Sequence, residues 1–299
     1  MKKRLLWIPA IVMLFVVSAC GGASTDKVSI GAKNFTEQYL FAEMAKQIFE
    51  AEGMKVEVKD GLGSNAMRQA LESGQVNFTF DYTGTGLVNY NKQDPISDAT
   101  ESFEKVKEID AEQGIVWTNM TEVNNTYAIV MPRQLAEELG IQSLSDYAEY
   151  INNNPGEITI AFDSEFAERQ EDGWPAVERV YEFELPSEQV SQMAIGLNYE
   201  ALNNGEVNSA VGFTTASQVA EYDFLVLEDD KKVFPDYTAA IAMSAELYEA
   251  KPEVAELLKP LTDILTNEEM VSLSHKVDFG EQDVSKVAST YLQEKGIVE

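Results

Sequence analysis

The chain has one cysteine, Cys20, and one histidine, His275, in 299 residues. A lone cysteine leaves no partner for a disulfide within the chain and no thiolate cluster for a metal. A lone histidine in a helical C-terminal stretch makes no metal-ligand set and is a poor base for a hydrolytic serine or cysteine. Positive charge is scarce as well. Lysine and arginine number 22 against 51 acidic residues, for a net charge of −29. Such a surface argues against nucleic acid or anionic headgroups as partners; solubility, or life in a saline exterior, accounts for it. Beyond residue 17 no apolar run approaches the ~20 residues of a membrane-spanning helix. No solenoid repeat and no long low-complexity segment is present.

What is present begins with a leader. Lys2, Lys3 and Arg4 precede a nearly unbroken apolar stretch, Leu5 to Val17, which Ser18-Ala19-Cys20 closes with small residues. This reads as a secretory signal spanning residues 1–19. The placement of Cys20 resembles the lipobox of bacterial lipoproteins. That resemblance implies cleavage before Cys20, a lipid on its sulfur, and an extracytoplasmic protein held at the cell membrane. Residues 20–26, with Gly21-Gly22-Ala23-Ser24-Thr25, read as a flexible tether.

The remaining chain, about 280 residues, exceeds one typical domain and implies two lobes. Apolar runs alternate with amphipathic stretches. Strands are expected at Val28–Ile30, Val56–Val58, Phe78–Phe80, Ile115–Trp117, Tyr127–Met131, Glu157–Phe162, Val207–Val211, Phe224–Leu227 and Ala239–Met243. Helices are expected over Glu37–Glu52, after Ser64 as cap, over Phe103–Gln113, after Ser143, over Asn198–Asn203 and through the last sixty residues, where Thr266 and Glu269 fit a capping box. The alternation argues for α/β lobes with mostly parallel sheets and helices on both faces. Two crossings, near Val123–Tyr127 and Phe234–Thr238, divide the chain into 27–125 plus 238–299 and 126–237.

Chemistry gathers where strands end. Asp81-Tyr82-Thr83-Gly84-Thr85 follows the strand at Phe78–Phe80 and offers a ring, two hydroxyls and a glycine at the edge where open α/β sheets bind ligands. Lys33, in Lys33-Asn34-Phe35-Thr36-Glu37-Gln38, sits beside a helix N-terminus and favours an anionic group there. Asn124-Asn125-Thr126-Tyr127, Phe166 to Pro175, Gly212-Phe213-Thr214-Thr215 and Val233 to Tyr237 each bring an aromatic to a strand end or crossing. Together they point to rings around a cation, and so to a binding protein rather than an enzyme.

These segments, in this order along essentially all of the mature chain, resemble the extracytoplasmic substrate-binding proteins of osmoprotectant ABC importers. The resemblance rests on Lys33 to Gln38, Asp81 to Thr85, Asn124 to Tyr127, the Arg169…Asp172-Gly173…Pro175 spacing, and Glu228-Asp229-Asp230-Lys231 leading to Phe234-Pro235…Tyr237. It implies the type II periplasmic-binding-protein fold, two mixed-sheet α/β lobes joined by two crossover segments, with no cofactor. It implies a cargo of glycine betaine, carnitine or choline, a permease as partner, and closure of the lobes around ligand.

Matched motif to motif, the resemblance makes Tyr82, Tyr127, Phe213 and Tyr237 an aromatic cage. A trimethylammonium group has charge but no N–H, so aromatic faces remain to hold it. Four contacts of roughly 0.5–2 kcal/mol each fall short of the ~8 kcal/mol of micromolar binding, so a second anchor is expected. By resemblance that anchor is Lys33, Arg169 and the Thr85 hydroxyl, holding a carboxylate, with Asn65 near the ligand's polar end. Two positions depart from the family pattern. Phe213 replaces the usual tyrosine, and Ala216 stands near where an acid is expected.

Three rival readings stay open. Counting alone leaves a carboxylate-pair glycosidase possible, given so many acids. An amino-acid cargo would bring an ammonium that wants an aspartate, and Asp81 adjoins Tyr82. A purely structural surface lipoprotein leaves the ring motifs unexplained.

Overall fold

The computed structural model describes residues 27–299; the leader, Cys20 and the tether lie outside the described residues. Among the described residues, ten strands form two five-stranded sheets. The first contains β1 (Lys27–Lys33), β2 (Lys55–Leu62), β3 (Phe78–Tyr82), β4 (Ile115–Thr118) and β10 (Ala239–Ser244) in the order β2-β1-β3-β10-β4. The second contains β5 (Tyr127–Pro132), β6 (Ile160–Phe162), β7 (Val190–Gln192), β8 (Ser209–Phe213) and β9 (Phe224–Val226) in the order β7-β6-β8-β5-β9. The two orders are the same pattern. In each sheet one strand runs antiparallel to both its neighbours: β10 between β3 and β4, β5 between β8 and β9. Each of these strands follows a crossing, so each lobe receives its antiparallel strand from the chain just as it enters.

Burial explains the strands. All five residues of β3 are buried, because helices cover both faces of the sheet. The helix Thr36–Ala51 lays Leu40, Phe41, Met44, Ile48 and Phe49 against it. Phe41 stacks on Phe80 at 4.5 Å, and Phe49 meets Phe78 edge-on at 5.5 Å. Such rings each bury large apolar areas and dominate core energetics.

Several boundaries differ from expectation. The strand expected over Glu157–Phe162 shortens to β6, and β7, a three-residue polar strand, has no periodicity to announce it. The strand expected at Val207–Val211 instead runs from Ser209 to Phe213, which makes Phe213 a strand terminus. Ser64 is the first helical residue rather than the cap; Gly63 occupies the cap position without a side chain to offer. Thr266 does accept from the Glu269 amide at 3.3 Å, but the reciprocal capping box forms at Ser143 and Asp146.

The two crossings run side by side. Asn124 and Thr238 form an antiparallel bridge, the Ala239 amide donates to the Val123 carbonyl at 2.8 Å, and the Asn124 side-chain amide donates to Asp236 Oδ2 at 2.8 Å. Gly84 packs against this pair. A Cβ there would lie 2.5 Å from the Asp236 carbonyl and 2.9 Å from the Tyr237 ring. Gly84→Ala should therefore cost about 1–3 kcal/mol through overpacking. A denaturation midpoint equal to wild type would show that the crossing yields without strain.

Candidate functional site

The antiparallel strands decide which side chains meet. Lys33, Tyr82 and Phe213 are the last residues of β1, β3 and β8, so they lie at carboxyl edges. Because β5 runs the other way, its first residue, Tyr127, pairs directly opposite Phe213. Likewise Ala239 at the start of β10 pairs opposite Tyr82, which brings Tyr237 to the same edge. Thr85 opens a π-helical turn, Thr85–Tyr90, immediately after β3.

Rings from both lobes form a continuous chain. Tyr82 lies 6.2 Å from Phe35, Phe35 stacks on Phe213 at 5.4 Å, and Phe213 lies 5.2 Å from Tyr127. Tyr127 meets Tyr237 edge-on at 5.4 Å, interplanar 90°. A cavity of about 30 Å³ lies among them, lined also by Lys33, Ser64, Thr85 and Glu165. That is room for very few waters, so a bulkier solute enters only when rings and lobes part. Burial pushes the Tyr82, Tyr127 and Tyr237 phenols well above their usual range, keeping them neutral.

Of the eight residues the sequence singles out, six line this cavity: Tyr82, Tyr127, Phe213, Tyr237, Lys33 and Thr85. Arg169 and Asn65 do not. Arg169 lies behind the rings, its guanidinium 5.4 Å from the Tyr127 centroid and 5.9 Å from that of Tyr237. Its fork is taken by Asp172: Nε donates to Oδ1 at 2.9 Å and Nη2 to Oδ2. Asp172 Oδ2 also accepts from the Tyr237 hydroxyl at 2.6 Å. The local ion pair that acidic neighbours permit is therefore the one formed. Asn65 is exposed, its side-chain carbonyl accepting from Asn89 at 3.2 Å.

A second carboxylate lines the cavity near Lys33. Glu165, from the second lobe, accepts the Ser64 amide at 3.1 Å, at the N-terminus of the helix Ser64–Glu72, and accepts Arg169 Nη1 at 3.2 Å. Burial pushes Glu165 up, yet Lys33, Ser64 and Arg169 together outweigh it and hold the carboxyl below its usual range. Asp81 is engaged too. It accepts Lys33 Nζ at 2.6 Å, the Tyr82 amide at 2.8 Å and the Tyr90 hydroxyl at 3.1 Å, so it is not free to receive a ligand ammonium.

Three residues outside the singled-out eight stand at this cavity or beside it: Phe35 and Asn125 line it, and Glu37 touches Tyr82. Glu37 accepts the Tyr82 hydroxyl at 2.6 Å and the Asn125 side-chain amide at 2.8 Å, tying the Tyr82 ring to the first crossing. Burial raises its pKa from the ordinary 4.5, against the lowering influence of the polar side chains of Tyr82, Thr215 and Asn125. A carboxyl raised by folding holds more protons folded than unfolded. Stability then falls as pH rises through the unfolded-state value near 4.5 and levels off above the folded value. Glu37→Gln keeps an acceptor for Tyr82 and should flatten that fall, measured as urea midpoints below and above this range. An equally steep fall in the variant would place its source elsewhere.

Comparison with known proteins shows the family. The family model described as the substrate binding domain of ABC-type glycine betaine transport systems matches residues 26–294. A glycine-betaine-binding protein of Pseudomonas aeruginosa is 38% identical over 94% of this chain and 92% of its own. The carnitine transport binding protein OpuCC of Listeria monocytogenes is 30% identical over 100% of this chain and 99% of its own. The crystal structure of a glycine betaine/carnitine/choline ABC transporter protein superposes with a TM-score of 0.73 at 26% identity, covering 91% of this chain and 100% of that one. The two-lobed architecture is that of the type II periplasmic binding proteins. The family consists of transport proteins, not enzymes. This chain belongs to the family of substrate-binding domains of ABC-type glycine betaine transport systems.

Proposed function

We propose that the protein captures a quaternary amine bearing a carboxylate, of which glycine betaine is the simplest, and delivers it to the permease of its importer. The observation that carries this reading is the meeting of five rings, from both lobes and the crossing, around one small buried cavity: Phe35, Tyr82, Tyr127, Phe213 and Tyr237. In this reading the last four form the cage, each face contributing roughly 0.5–2 kcal/mol. Lys33 and Thr85 anchor the carboxylate. The ligand's anion takes over partners that Glu165 now holds: the Ser64 amide and Arg169 Nη1. Arg169 otherwise acts by pinning Tyr127 and Tyr237, and Asn65 borders the polar end.

The lobes, residues 27–125 with 238–299 and residues 126–237, close about the paired crossings, because only a ligand touching both shifts the open–closed balance. We place the protein outside the cytoplasm, tethered through a lipid on Cys20; Cys20→Ala should move it from the membrane to the soluble fraction. Calorimetric titration with glycine betaine, carnitine, choline and glycine tests the cargo. Heat from the quaternary amines and none from glycine is the expected result. No heat from any quaternary amine would overturn the reading, and choline binding as tightly as glycine betaine would overturn the carboxylate anchor.

A further inference from the structure

The stacked Phe35–Phe213 pair has a second side. Beyond it lies a larger cavity of about 230 Å³ between the lobes, which shares Phe35, Phe213, Asn125 and Ile195 with the ring pocket. Tyr39 and Tyr199 give it further aromatic walls, and Glu37 and Asp278 give it acidic ones. Asp278 is satisfied: it accepts Thr36 and Ser217 hydroxyls, both at 2.6 Å. Glu37 is not. Among the described residues four buried side-chain polar atoms lack a hydrogen-bond partner, and two of them, Glu37 Oε2 and Ser274 Oγ, belong to residues lining this one cavity. Both residues are only 3% exposed. Buried polar atoms without partners are costly, and two of them at one cavity call for a hydrogen-bonding occupant.

The wall also explains a departure from the family pattern. Ala216, near where an acidic side chain is expected, lines this cavity and brings neither a charge nor a long side chain to it. We propose that the cavity is a subsite for the tail of longer quaternary ammonium ions, a tail ending in a hydroxyl or amine rather than a carboxylate. The trimethylammonium head occupies the ring pocket, the tail runs past the Phe35–Phe213 stack, and its donor meets Glu37 and Ser274. A terminal carboxylate is disfavoured there because it would face Glu37 and Asp278. This inference rests on the quaternary-amine reading and extends it.

The test is calorimetry on the full-length protein with hexyltrimethylammonium and its omega-hydroxy and omega-carboxy derivatives, alongside glycine betaine. The hydroxy ion should bind about tenfold tighter than its parent, the worth of a hydrogen bond to a buried polar group, and the carboxy ion weaker than either. Ala216→Leu should abolish the hydroxy ion's advantage while leaving glycine betaine within about twofold, since Ala216 does not touch the ring pocket. Ser274→Ala should shrink the same advantage without moving the parent ion. Equal binding of hydroxy and parent ions, or a series unchanged by both variants, overturns the subsite. Absent glycine betaine binding in the wild type would instead overturn the cargo reading, so the two failures are separable.

Discussion

Asp172→Ala is expected to destabilise the protein by about 3–5 kcal/mol, the cost of taking the two-pronged partner from a buried charge that keeps only Glu165. The Arg169 side chain is only 2% exposed and that of Asp172 only 1%, and the guanidinium gives the carboxylate two of its donors. The same substitution strips the Tyr237 hydroxyl of its acceptor. Chemical denaturation reads the loss directly. A double variant, Arg169→Met with Asp172→Leu, should recover most of it, because replacing both charges removes the desolvation cost along with the attraction. If the double variant is as unstable as Asp172→Ala, the loss does not come from an orphaned charge and the account fails. The distinction matters for transport. A recovered fold with weakened glycine betaine binding would show that the pair holds Tyr127 and Tyr237 in place beyond its share in stability.

Tyr127→Ala should weaken glycine betaine binding about thirtyfold, the equivalent of roughly 2 kcal/mol for removing a cation–π interaction from a desolvated site. Tyr127 is the ring at which the second lobe and the second crossing meet: Phe166, Phe213, Phe234 and Tyr237 all lie within 6.2 Å of its centroid. Removing it deletes one face and lets its neighbours shift. Tyr127→Phe keeps the face and should stay within about threefold of wild type. Equal losses in the two variants would mean that the hydroxyl, not the ring, carries the binding.

Much of the architecture was legible because it follows from repeating patterns. Apolar runs separated by helical periodicity place nine of the ten strands within a few residues, and the glycines that end helices, such as Gly53 and Gly74, adopt positive φ. The strand that escaped, β7, is three residues of Val-Ser-Gln held in place by β6 alone. For the site, six of eight residues meet at one cavity because each is tied to a strand end or a crossing, which sequence can locate. Phe35 lies inside a recognisable motif but carries no periodic signal, so its stacking on Phe213 emerges only when the lobes face each other. The same holds for Glu37, whose position in the first turn of a helix reads equally well as an ordinary favourable charge. For Arg169 the sequence shows both a ligand anchor and three acidic neighbours; only three-dimensional placement reveals that Asp172 takes the fork.

The interleaving of the sheets has a consequence for how the chain is made. β4 pairs only with β10, and β10 follows the whole second lobe. As the polypeptide emerges from N- to C-terminus, the second lobe's five strands are complete once Val226 is out, while the first lobe still waits for Ala239 to Ser244 to insert between β3 and β4. The lobe that begins first therefore finishes last. A chain halted before β10 carries one sheet with all its strands and one with an unfilled seam.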